Sequence, residues 1–156
     1  MLRVTYNIGL TMMTNPIQTA QDRFVQGFNC SQAVFSAYAS QFGIDDEAAL
    51  KLASPFGGGV ARQGEVCGAV IGALMALGLG RGNATLENKE ENYSIADEFI
   101  TRFQEKHGTI LCRELIGYDL SKPKELLEAR EQKVFATACP GFVKDAAELV
   151  AELLDK

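Results

Sequence analysis

The sequence has no tryptophan and only one histidine, His107. Metal sites that need two or three imidazole ligands therefore cannot form within one chain. A Ser-His-Asp or Cys-His catalytic arrangement would have to use this one residue. Its place directly before Gly108, where a helix is expected to end, favours a positive C-terminal cap over a catalytic base.

Positive charge is also scarce. Lysine and arginine number 15 against 20 acidic residues, the net charge is -5, and no basic cluster is present, so we expect no binding to nucleic acid. The apolar residues 66–79 are too few, and too often interrupted by glycine, to cross a membrane, which takes about 20 residues. The N-terminal residues lack the apolar core and cleavage site of a secretory signal. We therefore expect a cytoplasmic protein that does not bind membranes.

Strand-like alternation is missing except at residues 3–8. Apolar residues recur instead at helical spacing, which predicts an all-α fold. We expect residues 15–156 to form a single-domain helical bundle of about six helices that carries all four cysteines, since a chain of this length can bury one core. Residues 1–14 are expected to be a poorly ordered N-terminal extension.

The stretch that organises the chain is residues 56–82, which read FGGGVARQGEVCGAVIGALMALGLGRG. Its part from about 64 to 79 is predicted to be a helix rich in glycine and alanine. Each glycine costs a helix about 1 kcal/mol relative to alanine. Close approach of neighbouring helices against a surface of small residues would offset that cost, so we predict that this helix is the central one.

The four cysteines, Cys30, Cys67, Cys112 and Cys139, are far apart in the sequence. In a reducing cytosol, four cysteines favour redox or metal chemistry over structural disulfides. The sequence has no Cys-x-x-Cys pair, which excludes a thioredoxin-like site, and it lacks the usual zinc-ribbon and ferredoxin spacings. A reactive or metal site would therefore require the fold to bring distant cysteines together.

Cys30, Cys67 and Cys139 are predicted to lie where helices begin. Free backbone N–H groups and the helix dipole favour a thiolate at such positions, so we predict reactive thiols with a lowered pKa. We predict Cys67 as the attacking thiolate, because its glycine-rich approach should be the most open, and Cys30 as its partner. The alternative is that these cysteines are inert core residues, as buried free cysteines often are.

Gly58, Gly59 and Arg62 are candidate substrate-binding residues. Glycine-rich backbone beside an arginine could cradle a phosphate or carboxylate at the entrance to the central helix. The stretch lacks the Lys-Ser/Thr pair of a nucleotide-binding loop and follows no strand. The alternative interpretation is a tight turn that lets helices pack closely.

Several segments together resemble the C_GCAxxG_C_C family of redox-active proteins, which is named for its cysteine-glycine pattern. They are NCSQAV around Cys30, FGGG at 56–59, CGAVIG from Cys67, CREL from Cys112, and Cys139 before the final helix. The resemblance covers about residues 16–154. It implies that the four thiols act as one set, and it implies no particular substrate, cofactor or partner.

Three functions are consistent with these residues. The first is a thiol-disulfide oxidoreductase whose four cysteines cycle through internal disulfides, without a cofactor, in exchange with a redox partner or a small-molecule substrate. The second is a metal or iron-sulfur module that uses all four cysteines as ligands. The third is a structural helical protein with inert core cysteines. A homodimer is compatible with each of them.

Overall fold

The computed structural model of the protein describes residues 15–156. The predictions of a poorly ordered extension at 1–14 and of a candidate strand at 3–8 lie outside these residues. The α-helices are α1 Pro16–Gln26, α2 Cys30–Ala39, α3 Asp46–Ala53, α4 Gly68–Arg81, α5 Lys89–His107, α6 Cys112–Ile116, α7 Pro123–Glu131, α8 Val134–Thr137 and α9 Cys139–Leu154. Within the described part the chain forms no strand, and only an isolated antiparallel bridge joins Val66 to Leu111. The predicted all-α class is confirmed, and no described helix is long and apolar enough to cross a membrane.

The predicted central helix is α4, which packs against α2, α5 and α9. It begins at Gly68 rather than near Gly64 and extends to Arg81. Residues 64–66 do not join the helix because they bond with the chain near Cys112: the Arg113 N–H donates to the Gly64 carbonyl (3.2 Å) and the Cys112 N–H to the Glu65 carbonyl (2.7 Å).

Glycines on α4 allow α2 to cross it in backbone contact. A Cβ atom at Gly72 would lie 2.7 Å from the Ser31 carbonyl oxygen, and one at Gly68 would lie 2.8 Å from the Phe56 carbonyl oxygen. Real Cβ atoms do not approach backbone oxygens this closely, so these positions exclude a side chain. The helix propensity that the glycines lose is offset by this packing, as the sequence predicted.

The core lies around α4 and is filled from α2, α5 and α9. Tyr38, Phe99 and Phe103 are its largest fully buried side chains. The Tyr38 hydroxyl donates to the Ala147 carbonyl at 2.6 Å, which connects α2 to α9 and satisfies a buried polar group. A second apolar cluster contains Cys112 and Cys139 and packs beneath α6, α7 and α8. The two clusters meet where the cysteines lie.

Candidate functional site: a four-cysteine cluster beside a cleft

Every cysteine lies at the start of a helix. Cys30, Cys112 and Cys139 are the first residues of α2, α6 and α9, and Cys67 is the N-cap of α4. The prediction is confirmed for three of them. Before Cys112, the Thr109 hydroxyl accepts a hydrogen bond from the Leu111 N–H (3.1 Å), and α6 begins only afterwards.

A capping box holds Cys30 in place. The Asn29 carboxamide oxygen accepts from the Gln32 N–H at 2.9 Å, and the Asn29 N–H donates to the Gln32 side chain at 3.1 Å. The Asn29 amide also donates to the Ser54 carbonyl at 2.9 Å. This pattern satisfies the free N–H groups of the first turn and connects the start of α2 to the glycine-rich loop.

The isolated bridge holds Cys67 and Cys112. The Cys67 N–H donates to the Ile110 carbonyl at 2.8 Å, across from the bond between Cys112 and Glu65. Gly59 packs against the same place, since a Cβ atom there would lie 2.7 Å from the Cys112 Cβ. Gly59 is therefore required for the loop to approach the cysteine cluster.

The fold brings the four thiols together around Cys30. Its side chain is close enough to those of Cys139 and Cys67 for both to shift its pKa, and Cys112 acts on it electrostatically. All four are free thiols. Between residues 15 and 156, no group of three or more His, Cys, Asp or Glu side chains has an arrangement that could hold a metal ion.

The pKa values of three of these thiols are raised, and for Cys30 and Cys67 this is contrary to the prediction from helix starts. The pKa of Cys30 rises to about 12, first because of the neighbouring Cys139 side chain. The pKa of Cys67 rises well above its ordinary value, first because of the neighbouring Cys30 side chain and then because of burial. Burial raises the pKa of Cys112 to about 12. Desolvation and neighbouring thiols outweigh the helix dipole at these positions.

A cleft of about 890 Å³ opens beside the cluster, and three of the four cysteines line it: Cys30, Cys112 and Cys139. Cys67 does not line it and is only 4% exposed. The prediction that Cys67 has the most open approach is therefore wrong. The residues before it do not lead openly into the helix, because they fold back and bond to residues 110–113.

The glycine-rich loop forms a left-handed turn at the edge of this cleft. Residues 58–62 all have positive φ, between 49° and 70°. Backbone bonds close the turn, from the Ala61 N–H to the Pro55 carbonyl (2.8 Å) and from the Arg62 N–H to the Gly57 carbonyl (3.0 Å). Glycine adopts this conformation readily, but Val60, Ala61 and Arg62 are strained in it.

The predicted substrate-binding residues divide between the cleft and the cluster. Gly58 and Arg62 line the cleft, and Gly59 packs behind it against Cys112. A Cβ atom at Gly58 would lie 2.8 Å from the Arg62 Cγ, so this glycine leaves room for the arginine. Sequence reasoning missed Arg130, on α7, which also lines the cleft. Nothing local distinguishes it from other charged residues of that polar helix.

His107 takes no part in the cleft. It lies in the last turn of α5, where its Nε2 atom is 2.9 Å from an Asp145 carboxylate oxygen. Its ring packs against Phe103 and Phe142, with centroid distances of 4.5 and 5.1 Å. Its contacts are those of a packed residue near a helix end.

One comparison with known proteins gives a match. The model of a family described as "Putative redox-active protein (C_GCAxxG_C_C)" matches residues 28–153, a span that contains all four cysteines. No curated protein and no solved structure matches the chain.

Proposed function

Because the chain belongs to the C_GCAxxG_C_C family of redox-active proteins, we propose that it catalyses thiol-disulfide exchange with its four cysteines and that it does so in the cytoplasm. The observation that carries this proposal is the proximity of Cys30 to both Cys139 and Cys67, whose side chains shift its pKa. A disulfide needs Cα atoms within about 7 Å of each other, so neighbouring cysteines are the candidates for one. Inert core cysteines would not need to meet at one edge of a cleft.

The cleft distinguishes the thiols that neighbour Cys30. Cys139 is the first residue of the 16-residue helix α9, it lines the cleft, and its side chain acts on that of Cys30. Cys67 also acts on Cys30, but it is buried and does not line the cleft. Cys139, rather than Cys67, is therefore our candidate for the attacking thiolate.

The proposed exchange moves two electrons. The Cys139 thiolate attacks one sulfur of a substrate disulfide, forms a mixed disulfide and releases the other half of the substrate as a thiolate, which takes up a proton. Cys30 then loses its proton and attacks Cys139 in the mixed disulfide. This step forms a Cys30–Cys139 disulfide and releases the second substrate thiol. The substrate disulfide has been reduced and the protein dithiol oxidised, and an external dithiol reverses the change in the protein.

Cys67 and Cys112 have a second role in this scheme. Cys67 touches Cys30 from the buried side, so its thiolate can attack Cys30 in the new disulfide and release Cys139. The disulfide then lies inside the protein, and Cys139 is free for another exchange. Cys67 acts electrostatically on Cys112, which is the remaining thiol of the four and could receive the bond.

The test is to count and map thiols during oxidation. We expect the reduced protein to lose two thiols per equivalent of bis(2-hydroxyethyl) disulfide, with Cys30–Cys139 as the first bond found by peptide mass spectrometry and dithiothreitol restoring both thiols. Cys139→Ser should abolish this first bond. The matched Cys112→Ser variant removes another cleft thiol and should retain it.

Two outcomes would contradict the proposal. Thiols that stay unreactive in the native protein would support the structural alternative. One equivalent of zinc or iron bound after anaerobic purification, with thiols that resist oxidation until the metal is removed, would support a metal module that uses all four cysteines as ligands.

A further inference from the structure

We infer that the cleft binds a small disulfide that carries carboxylate groups, and that Arg62 and Arg130 recognise those groups. The inference rests on the proposed function for the disulfide, but its argument from charge is independent of it. Arg62 reaches the cleft from the left-handed turn and Arg130 from α7, so the two cations come from separate elements.

These two arginines differ from the others in the part of the chain that is described. Each of the other four has a partner within the protein: Asp46 for Arg23, the Leu153 carbonyl for Arg81, Glu152 for Arg102 and Glu65 for Arg113. Arg62 and Arg130 form no ion pair with a carboxylate of residues 15–156. The described residues that line the cleft include no Asp or Glu. In a protein of net charge -5, two unpaired guanidinium groups beside three thiols favour an anionic ligand.

The rest of the lining fits the apolar part of such a ligand. Phe24, Phe28, Phe135 and Pro140 give the cleft walls that can pack against methylene groups and sulfur. The volume of about 890 Å³ is that of a small-molecule site. A disulfide with a carboxylate on each side would offer one carboxylate to each arginine, in the same cleft that the three cysteines line.

The experiment compares three small disulfides that differ in charge. They are 3,3'-dithiodipropionate, which is a dianion, neutral bis(2-hydroxyethyl) disulfide, and cystamine, which is a dication. The rate constant for oxidation of the reduced protein is measured for each and divided by the rate constant of the same disulfide with 2-mercaptoethanol. We expect the normalised constant to fall in that order.

Arginine variants test the recognition. Arg62→Gln and Arg130→Gln should each lower the normalised constant for the dianion about fivefold, which is the upper effect of a partly exposed charge pair, and should leave the constant for the neutral disulfide unchanged. Arg102→Gln is the matched control, since it also removes one positive charge but lies on α5 away from the cleft. It should change neither constant.

A binding measurement separates this inference from the proposed function. Suberate has the length of 3,3'-dithiodipropionate but no sulfur, and calorimetry should detect its binding to the native protein but not to the double variant with glutamine at 62 and 130. If all three disulfides react without a preference for charge and suberate does not bind, the inference is overturned and the proposed function stands. If suberate binds and no disulfide reacts, the proposed function fails, and with it the identity of the ligand as a disulfide. If a protein disulfide reacts faster than the dianion and suberate does not affect its rate, the inference that the ligand is a small molecule is overturned.

Discussion

Gly72 and Ser31 lie in backbone contact where α4 crosses α2, with only 2.7 Å between a Cβ atom placed at Gly72 and the Ser31 carbonyl oxygen. We expect Gly72→Ala to lower the free energy of unfolding by about 2 kcal/mol, because a methyl group must push the two helices apart in a packed core. Denaturant unfolding followed by circular dichroism measures this. Ser31 directly follows Cys30, so the substitution should also slow formation of the first disulfide.

Gly78→Ala is the control within the same helix. No heavy atom lies within 4 Å of a Cβ placed there. Alanine is the better helix former and restricts the unfolded chain, so this change should raise the free energy of unfolding by about 0.5–1 kcal/mol. Equal effects of the two substitutions would refute the account of close helix contact.

The left-handed turn predicts that a change from alanine to glycine, the reverse of the two substitutions above, stabilises the protein. Ala61 is exposed and has a φ of 49°. We expect Ala61→Gly to raise the free energy of unfolding by about 0.5 kcal/mol, because relief of the left-handed conformation exceeds the added entropy of the unfolded chain. Thermal unfolding by calorimetry measures the change.

Ala48→Gly makes the same chemical change in the right-handed helix α3. It should lower the free energy of unfolding by about 1 kcal/mol, since glycine is a poor helix former. If Ala61→Gly is destabilising by a similar amount, residues 58–62 do not store the strain that their φ angles indicate.

The raised thiol pKa values predict sensitivity to alkali. For Cys112 the pKa is about 12 in the folded protein against an ordinary value of 9.0. The unfolded chain therefore loses this proton first as the pH rises. The contribution of this thiol to the free energy of unfolding is fully present below pH 9 and is lost between pH 9 and about 12. The slope is about 1.4 kcal/mol per pH unit for one thiol. Unfolding in urea at a series of pH values under reducing conditions measures it.

Comparison with Cys112→Ser separates the contribution of this thiol from those of the other groups that titrate above pH 9. Burial also raises the pKa of Tyr38, and that contribution is unchanged in the variant. The variant should show a shallower loss of stability above pH 9, whatever its stability at pH 7. A slope equal to that of the unmodified protein would mean that Cys112 ionises as freely in the folded state as in the unfolded chain.

Local patterns were enough to predict the all-α class and the role of α4. Helical spacing gave the class, and the glycines at 68 and 72 indicated the close crossing, because both signals lie within a few residues of one another. The start of α4 was placed too early. Its true start at Gly68 depends on bonds from residues 64–67 to 110–113, which are distant in sequence and leave no local pattern.

The same distant bonds explain why the approach to Cys67 was wrongly predicted to be open. Cys67 is preceded by glycine-rich sequence that suggests an open approach, yet the bridge to Leu111 covers it. The sequence predicted that the thiols act together, but it could not say which ones touch, and those contacts decide the direction of the pKa shifts. Arg130 could not be identified either, because its importance comes from lining, together with Arg62, a cleft formed by separate elements.

Cys30 and Cys139 begin α2 and α9, which are far apart in the sequence, so the ease of forming a disulfide between them depends on the entropy of the chain that joins them. The first disulfide of the proposed exchange would close a loop of roughly 110 residues, and the cost of closing such a loop in an unfolded chain is about 5 kcal/mol. The folded protein has already met that cost by placing the two helix starts together. The fold would therefore lower the reduction potential of this pair by about 100 mV relative to the unfolded chain. Partial unfolding at either helix start would make the disulfide easier to reduce.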